Sequence, residues 1–163
     1  MTSSTLRVYN HWEKFNSLLE RAIAPLTQEQ LDLRPAKDLW SIRVLAGHII
    51  GVRAWWFGAT MGEGGEELLR FVDFDDHVEE NQTDAAALVD GLSRTWACVA
   101  TSLKSWSDED LDQRFQRPIP TREGERPWRT REYIVWHVAE HDVFHGGEIS
   151  LLLGMHGLKG LDV

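Results

Sequence analysis

The strongest constraint on the fold is the spacing of apolar residues, which recur three and four positions apart in four long segments. In an α-helix such residues share one face, whereas a half-buried strand requires alternation at every second position. Runs that alternate in this way are scarce in the chain. Because each helix must bury its apolar stripe against another, the pattern predicts an all-α fold built as a four-helix bundle.

The ends of the four helices are marked by residues that start or stop helices. We predict helices at about residues 5–24, 41–61, 83–103 and 130–153. Pro25 stops the first helix, because proline cannot continue a helical hydrogen-bond pattern. Ser41 and Thr83 carry the small polar side chains that cap helix N-termini, and Gly154 suits the C-terminal end of the last helix.

The connections between the predicted helices are long. Residues 26–40 contain one short turn, in which Thr27 and Gln30 have the spacing of a capping box. Residues 62–82 predict an exposed acidic loop with one helical turn, and residues 116–128 predict a loop or short hairpin because they hold three of the five prolines. We therefore expect a single domain over residues 1–163, a four-helix bundle with long crossover connections.

Charge and composition exclude several classes of partner. The formal net charge of −9 argues against nucleic acid, since binding phosphates requires a basic surface. No apolar stretch is long enough to span a bilayer, so we expect no membrane association. The N-terminus lacks the apolar run of a signal peptide, and Cys98 alone cannot form an internal disulfide. These features predict a cytoplasmic protein.

Three histidines follow one another at four-residue intervals in the segment WHVAEHDVFHGGEI, residues 136–149. Neighbours at this spacing lie on one helix face, about 6 Å apart along the axis. His137 and His145 are about 12 Å apart on the same arithmetic. They are also rotated about the axis by roughly 80°. At most one neighbouring pair of these histidines can therefore bind a metal ion, and all three cannot bind the same ion.

Two pairs remain as alternatives. His137 and His141 enclose Glu140 in the order H-V-A-E-H, which matches an inverted zinc-protease signature, although only 22 residues follow His141 to supply another ligand. His141 and His145 are better placed, because two glycines follow His145 and let another backbone or a ligand approach closely. The geometry favours the second pair and requires a further ligand from elsewhere in the chain.

His48 is the strongest candidate for that further ligand. It lies in IRVLAGHIIGVRAWW, the most apolar of the predicted helices, where an imidazole needs a partner to offset the cost of burial. A metal ion shared with the last helix would supply one, and an ordinary core hydrogen bond is the alternative. The other histidines are expected at exposed positions: His11, His77 and His156.

The order of these motifs resembles the DinB-like family, also called the DinB/YfiT superfamily of metalloproteins. The match rests on LAGHI in the second helix, HDVFHGGEI in the last helix and the approach LTQEQLDLRPAKDLWSIRVLAGH. His48 and His141 are separated by 93 residues, and the similarity covers nearly the whole chain. The resemblance implies a metal triad of His48, His141 and His145 with His137 outside it. It also implies a bundle with crossovers and a homodimer.

The resemblance also implies a chemistry. Family members of known activity include transferases and isomerases that depend on a low-molecular-weight thiol: bacillithiol, mycothiol or glutathione. The expected cofactor is a divalent metal ion, zinc first, with nickel, manganese or iron as alternatives. The expected partners are a small electrophilic substrate and a thiol. A metal-dependent hydrolase and a non-catalytic bundle that binds a metal or ligand remain as alternative functions.

Several other residues could have a functional role, but a structural role is a simpler explanation for each of them. Cys98 falls inside the third helix and is expected to pack there rather than act as a nucleophile. Three tryptophans could line a pocket or fill the core: Trp55, Trp56 and Trp136. Three acidic residues are expected in a solvated loop: Asp73, Asp75 and Asp76.

Overall fold

The computed structural model describes Tyr9 and residues 11–162. Among these residues the helices are α1 (Trp12–Ile23), α2 (Gln28–Leu31), α3 (Ile42–Arg53), α4 (Gly65–Leu69), α5 (Phe74–His77), α6 (Ala85–Ser105) and α7 (Arg131–Met155). A π-helical segment prolongs α3, a 3₁₀ turn follows α6, and two short strands precede α7: Ala54–Thr60, Glu109–Asp112, β1 (Arg114–Gln116) and β2 (Trp128–Thr130). The fold is all-α with one small hairpin, as the apolar spacing predicts.

Most of the predicted helix starts are confirmed by side-chain caps. The Ser41 hydroxyl accepts a hydrogen bond from the Val44 amide at the start of α3, and the Thr130 hydroxyl caps α7 in the same way. Thr27 and Gln30 form the capping box reciprocally around α2. These caps satisfy amide groups that the first turn of a helix leaves without partners.

Two predicted helix ends are shifted, and one lies outside the described residues. Asp84 rather than Thr83 caps α6, because its carboxylate accepts from the Ala87 amide. Helix α7 runs through Gly154 to Met155, and the chain turns at Gly157, whose φ is +72°. The first helix was expected from residue 5, and residues 5–8 and 10 are not described.

The four long helices form a bundle in which consecutive helices are not always neighbours. Helix α3 packs against both α6 and α7, while α1 packs mainly against α6 and also touches α7. Helices α1 and α3 therefore face each other diagonally, and so do α6 and α7. The connections from α1 to α3 and from α6 to α7 must cross the end of the bundle, as the long predicted connections allow.

A fully buried ion pair joins α3 to α7 inside this bundle. Arg53 and Asp142 are both inaccessible to solvent, and their closest charged atoms are 2.7 Å apart. The carboxylate also accepts a hydrogen bond from the Trp12 indole, and the guanidinium donates to Asn16 of α1 and to the backbone of α6. Burial raises the pKa of the Asp142 carboxyl, whereas Arg53 and the Trp12 hydrogen bond lower it. The pair ties all four long helices together at one level.

The middle connection, from α3 to α6, folds back onto α3. Helices α4 and α5 lie in residues 62–82, where one helical turn was predicted, and α5 packs against α3. Gly47 and Gly51 permit this contact, because a Cβ at either position would come within 2.7 Å of Val78 or Asp75 side-chain atoms. Among the described residues, none of the helices combines the length and apolar character that a membrane span requires.

Candidate metal centre

Three histidine side chains meet between α3 and α7. His48 comes from the middle of α3, and His141 and His145 lie one turn apart on α7. One ring nitrogen of each lies within 4.8 Å of the other two. The ring centroids are 4.3 Å apart for His141 and His145, and 4.8 Å and 5.1 Å from His48 to those two rings. The structure thus brings the three predicted ligands together, and their binding of a metal remains a prediction.

His137 stands apart from this cluster. Its ring centroid is 6.3 Å from that of His141, and it stacks instead on Tyr133 and meets the edge of Trp56. Its Nδ1 lies 3.3 Å from the Glu140 carboxylate, which is half-exposed. The glutamate of the H-V-A-E-H sequence therefore pairs with the first histidine instead of facing the cluster. This arrangement gives no support to the inverted-protease alternative.

Two carboxylates orient His48 and His145 of the cluster. The Asp75 carboxylate of α5 lies 2.7 Å from Nδ1 of His48, and the Glu148 carboxylate lies 2.6 Å from Nδ1 of His145. With Nδ1 engaged in this way, Nε2 of each ring is left to face the cluster. Carboxylates that accept from the far nitrogen of a histidine ligand are a regular feature of metal sites in proteins. The expectation that Asp75 belongs to a solvated loop is therefore wrong.

Electrostatics keep the central imidazole neutral. Burial, and then the neighbouring rings of His145 and His48, lower the pKa of His141 to about 3. Its Nδ1 is buried and has no hydrogen-bond partner among the described residues. The pKa of His145 is also lowered, chiefly by burial. A histidine must be neutral to ligate a metal, so His141 and His145 are already in the required state.

The donor set fits a divalent transition metal. The cluster contains three imidazoles and no carboxylate or thiolate ligand among the described residues. Three neutral nitrogen ligands suit zinc and its neighbours, and they leave at least one coordination position for another molecule. These residues could hold a metal ion in an open site.

Cavities reach the cluster from two sides. His48 and His141 line the larger one, of about 580 Å³, together with residues of α5, the π-helical segment and the β-hairpin. His145 and the half-exposed Trp40 line a smaller one of about 310 Å³. The ring of Trp40 lies 4.8 Å from that of His48 and shields one side of the cluster. Small molecules can thus approach the histidines from solvent.

The three tryptophans considered in the sequence do not all line a cavity. Trp55 and Trp56 belong to the π-helical segment and line the larger cavity, as one of the two readings of the sequence proposed. Trp136 does not line it, because its side chain points outward from α7 and is 57% exposed. The extra residue that a π-turn inserts rotates the following side chains, and such turns are frequent at functional sites.

The remaining predicted residues are placed away from the cluster. Cys98 is half-buried in α6, where burial raises the pKa of its thiol, and it does not line either cavity at the histidines. The exposed histidines are confirmed as such: His11, His77 and His156. Of the two glycines after His145, Gly146 faces the Phe15 ring of α1 and Gly147 is exposed, so core packing rather than a ligand accounts for the first.

Sequence reasoning missed the groups that surround the histidines. Glu148 could have been found, because it lies three residues after His145 on the same helix face. Asp75 is 27 residues from His48, and its only signal is the pair of glycines on α3 that lets α5 approach. Two arginines of the larger cavity, Arg117 and Arg129, follow from the fold of the hairpin and carry no signal of their own.

Comparison with known proteins agrees with this architecture. The model of the DinB family matches residues 1–161. A crystal structure of a DinB-like protein from Bacillus cereus superposes with a TM-score of 0.71 and 21% sequence identity, covering 94% of this chain and 93% of that one. No curated protein matches the sequence. At this identity the structural likeness shows the fold, and the family match covers almost the whole chain.

Proposed function

The chain belongs to the DinB family, and we propose that it is a divalent-metal-dependent enzyme that holds its ion through His48, His141 and His145. The observation that carries this proposal is the meeting of three ring nitrogens within 4.8 Å beside a cavity open to solvent. Zinc is the first choice of metal for three imidazoles, with nickel, manganese and iron as alternatives.

The proposed reaction is the transfer of a low-molecular-weight thiol to a small electrophile. A divalent ion held by these histidines would supply a positive charge that lowers the pKa of a nearby thiol, which would favour the nucleophilic thiolate near neutral pH. Asp75 and Glu148 fix the orientation of two imidazoles, and the ring of Trp40 packs against that of His48. The cytoplasm, which keeps such thiols reduced, is the proposed compartment.

The shape of the site favours catalysis over a purely structural metal site. A structural zinc is usually enclosed by four protein ligands, whereas a catalytic one keeps a position for water or substrate. In the described residues the cluster has three candidate ligands, and two of them line the larger cavity. A non-catalytic binding role and metal-dependent hydrolysis are the alternative functions that the following test distinguishes from thiol transfer.

The test begins with the metal content of protein purified without a histidine tag. We expect about one divalent ion per chain in the wild type and in His156→Ala, a matched control at an exposed histidine. Transfer assays with bacillithiol, mycothiol and glutathione then use one electrophile and the same samples. Metal-dependent thiol consumption supports the proposal. Stoichiometric metal without any transfer or hydrolysis supports the non-catalytic role, and absence of metal refutes the site.

We further propose that the protein is a homodimer that uses the outer face of α7. One face of this helix packs in the core, yet large apolar side chains also cover its solvent face: Trp136, Val143, Phe144, Leu151 and Met155. An apolar stripe on both sides of a helix indicates a second packing partner, and a second copy offers the same stripe by two-fold symmetry. The resemblance to the family points to the same assembly.

Light scattering at micromolar concentration measures this assembly. We expect a dimer mass for the wild type and for Lys104→Glu, a control on the exposed face of α6. Leu151→Glu places a charge in the stripe and should shift the mass toward the monomer. A monomer mass for the wild type would remove the dimer proposal and leave the metal site untouched.

A further inference from the structure

One face of the β-hairpin supplies a wall of the larger cavity. Phe115 pairs with Arg129 across the two strands, and the Arg117 amide donates to the Pro127 carbonyl. Alternate residues of a strand point to the same side, so Arg117 and Arg129 project from one face of the hairpin. Both side chains, together with Pro127, line the cavity that reaches His48 and His141.

Aromatic rings hold the two guanidinium groups in place. The Arg117 guanidinium lies 5.5 Å from the ring centroid of Trp55, and that of Arg129 lies 4.7 Å from the ring centroid of Tyr133. Arginine stacks well on such rings while its N–H groups remain free to bind an oxyanion. Stacking thus positions the two cations without occupying their edges.

Arg117 and Arg129 are half-buried and yet form no ion pair, whereas the other arginines of the described region without an ion pair are all exposed: Arg21, Arg70, Arg114, Arg122 and Arg126. Arg53, Arg94 and Arg131 each lie within 4.0 Å of an aspartate or glutamate, whereas no ion pair within the described region involves Arg117 or Arg129. The Nε of Arg117 is buried without a hydrogen-bond partner in that same region. The cavity therefore has two arginines on its hairpin side, whereas Asp73, Asp75 and Asp76 line it from the α5 side.

We propose that Arg117 and Arg129 form a subsite for the carboxylate of a small molecule whose other end reaches the histidine cluster. This deepens the proposed function and rests on it for the role of that other end. A guanidinium matches the two oxygens of a carboxylate and binds them through parallel hydrogen bonds. The buried, unpartnered Nε of Arg117 is the group that such a ligand would satisfy.

The opposite wall of the cavity sets the direction of the ligand. Asp73 and Asp76 line the cavity from the α5 side and form no ion pair with either arginine. Their charges repel a carboxylate, so the acid group of the ligand must point toward the hairpin. The ligand is therefore bound with one orientation, the acid at the arginines and the reacting end at the histidines.

The path along α7 sets the length of the ligand. Tyr133, His137 and His141 all line the cavity and lie at four-residue intervals on the helix. The distance from the Tyr133 level, where Arg129 stacks, to His141 is about 12 Å at 1.5 Å per residue. A molecule of tripeptide size spans this length, whereas a single amino acid does not. The substrate class is thus an elongated small carboxylate.

The carboxylate can belong to either reactant, and two pairs of probes separate these sources. The first pair is glutathione and its diethyl ester, which differ in the charge of the thiol reactant. The second is 4-chloro-3-nitrobenzoate and its methyl ester, which differ in the charge of the electrophile and, being shorter than the path of about 12 Å, test the arginine end alone. Calorimetry measures the binding of each probe to metal-loaded and metal-free protein. The double variant Arg117→Gln/Arg129→Gln is compared with Arg114→Gln, an exposed arginine on the other face of the same strand.

We expect the acid of at least one pair to bind about tenfold or more tightly than its ester, as a charge-assisted hydrogen bond implies. This preference should vanish in the double variant and persist in Arg114→Gln. Equal binding of acid and ester in both pairs, or a preference that survives the double variant, would overturn the subsite. Because the measurement is repeated without metal, loss of the metal site alone would leave the preference intact and identify a failure of the proposed function instead.

Discussion

Two polar clusters join α3 to α7, and they differ in how their charge is balanced. Arg53 and Asp142 are fully buried and neutralise each other at 2.7 Å. One turn away, His48, His141 and His145 face one another with no opposite charge between them. The charge of the first cluster is balanced within the protein, because the cation and anion neutralise each other. The second brings one ring nitrogen of each histidine within 4.8 Å of the other two, so it could hold a metal cation.

The difference shows how a fold can place an open site in a rigid frame. The ion pair contacts Trp12 and Asn16 of α1 and the backbone of α6, so it fixes the helices that carry the histidines. Asp142 is the immediate neighbour of His141 on α7, so its burial also sets the rotation of that helix. We therefore expect changes in the ion pair to affect folding and changes in the histidines to affect metal binding.

The largest expected effect on stability comes from breaking the ion pair between Arg53 and Asp142. Arg53→Met leaves Asp142 buried without its counter-ion, and we expect the free energy of unfolding to fall by about 3–5 kcal/mol. Urea titration measures this loss. The matched control is Arg94→Met, which removes an exposed pair with Asp90 and should cost less than about 1 kcal/mol.

A second variant keeps this test informative if the first does not fold. Arg53→Met/Asp142→Leu removes both charges, and it should recover much of the lost stability, because paired apolar side chains tolerate the buried position. A loss for Arg53→Met no larger than that for Arg94→Met would contradict the contrast between the two clusters.

Removing any one histidine of the second cluster should abolish metal binding without preventing folding. We expect His48→Ala, His141→Ala and His145→Ala each to lose stoichiometric metal, because each removes one of three nitrogens. His137→Ala is the control within the same helix and should keep its metal. Elemental analysis of folded, untagged protein makes the comparison. Loss of metal in His137→Ala with retention in His145→Ala would restore the alternative pair.

Acid should affect the metal-free histidine cluster through His141. Its pKa is lowered to about 3 in the folded protein, whereas a histidine of an unfolded chain protonates at about pH 6.5. Between these values the unfolded chain binds a proton that the folded chain does not. The free energy of unfolding therefore falls as the pH drops from about 6.5 toward 3.

Urea titrations across this pH range test the assignment in metal-free protein. His141→Leu has no imidazole at that position and should lose the corresponding part of the pH dependence. An identical pH dependence in the wild type and in His141→Leu would show that other groups cause it. In metal-loaded protein the same protons compete with the ion, so metal content should also decline from about pH 6 downward.

The smallest expected effects come from the carboxylates behind the histidines. Asp75→Asn and Glu148→Gln should each weaken metal affinity by about 10–100-fold without removing a ligand. Competition with a chromophoric chelator measures this change. Asp76→Asn, at the exposed neighbour of Asp75 on α5, is the control and should leave the affinity unchanged. Equal affinities for Asp75→Asn and Asp76→Asn would show that the contact with His48 does not tune the site.

The helices and most of their ends follow from the sequence because they depend on neighbours within a few residues. Ser41, Thr130 and the Thr27–Gln30 box cap helices where their spacing predicts. Thr83 was the wrong choice by one position, since Asp84 beside it is an equally suitable cap and the local pattern cannot separate them. The end of α7 was misplaced for a similar reason, because a glycine can continue a helix as well as end one.

The pairing of His141 and His145 on α7 can also be predicted from local sequence, whereas the residues that surround the pair cannot. Helix geometry alone brings His141 and His145 to one face and leaves His137 a turn away. His48 joins them only because α3 packs beside α7. Its apolar helix made it the strongest candidate for a further ligand, and the family resemblance implied the full triad. Asp75 reaches the same cavity through the connection between α3 and α6, and Arg117 and Arg129 reach it through the β-hairpin. No local sequence pattern encodes the positions of these two segments.

The sequence by itself determined the helical class of this protein, the approximate extent of its long helices and the face on which two histidines lie. Each of these rests on periodicity and capping, which act over one or two turns of a helix. Only the tertiary structure decided which carboxylates orient the histidines, which arginines remain unpaired and which ion pair fixes the frame. Those depend on the packing of segments far apart in the chain, where many weak contacts together determine a single arrangement.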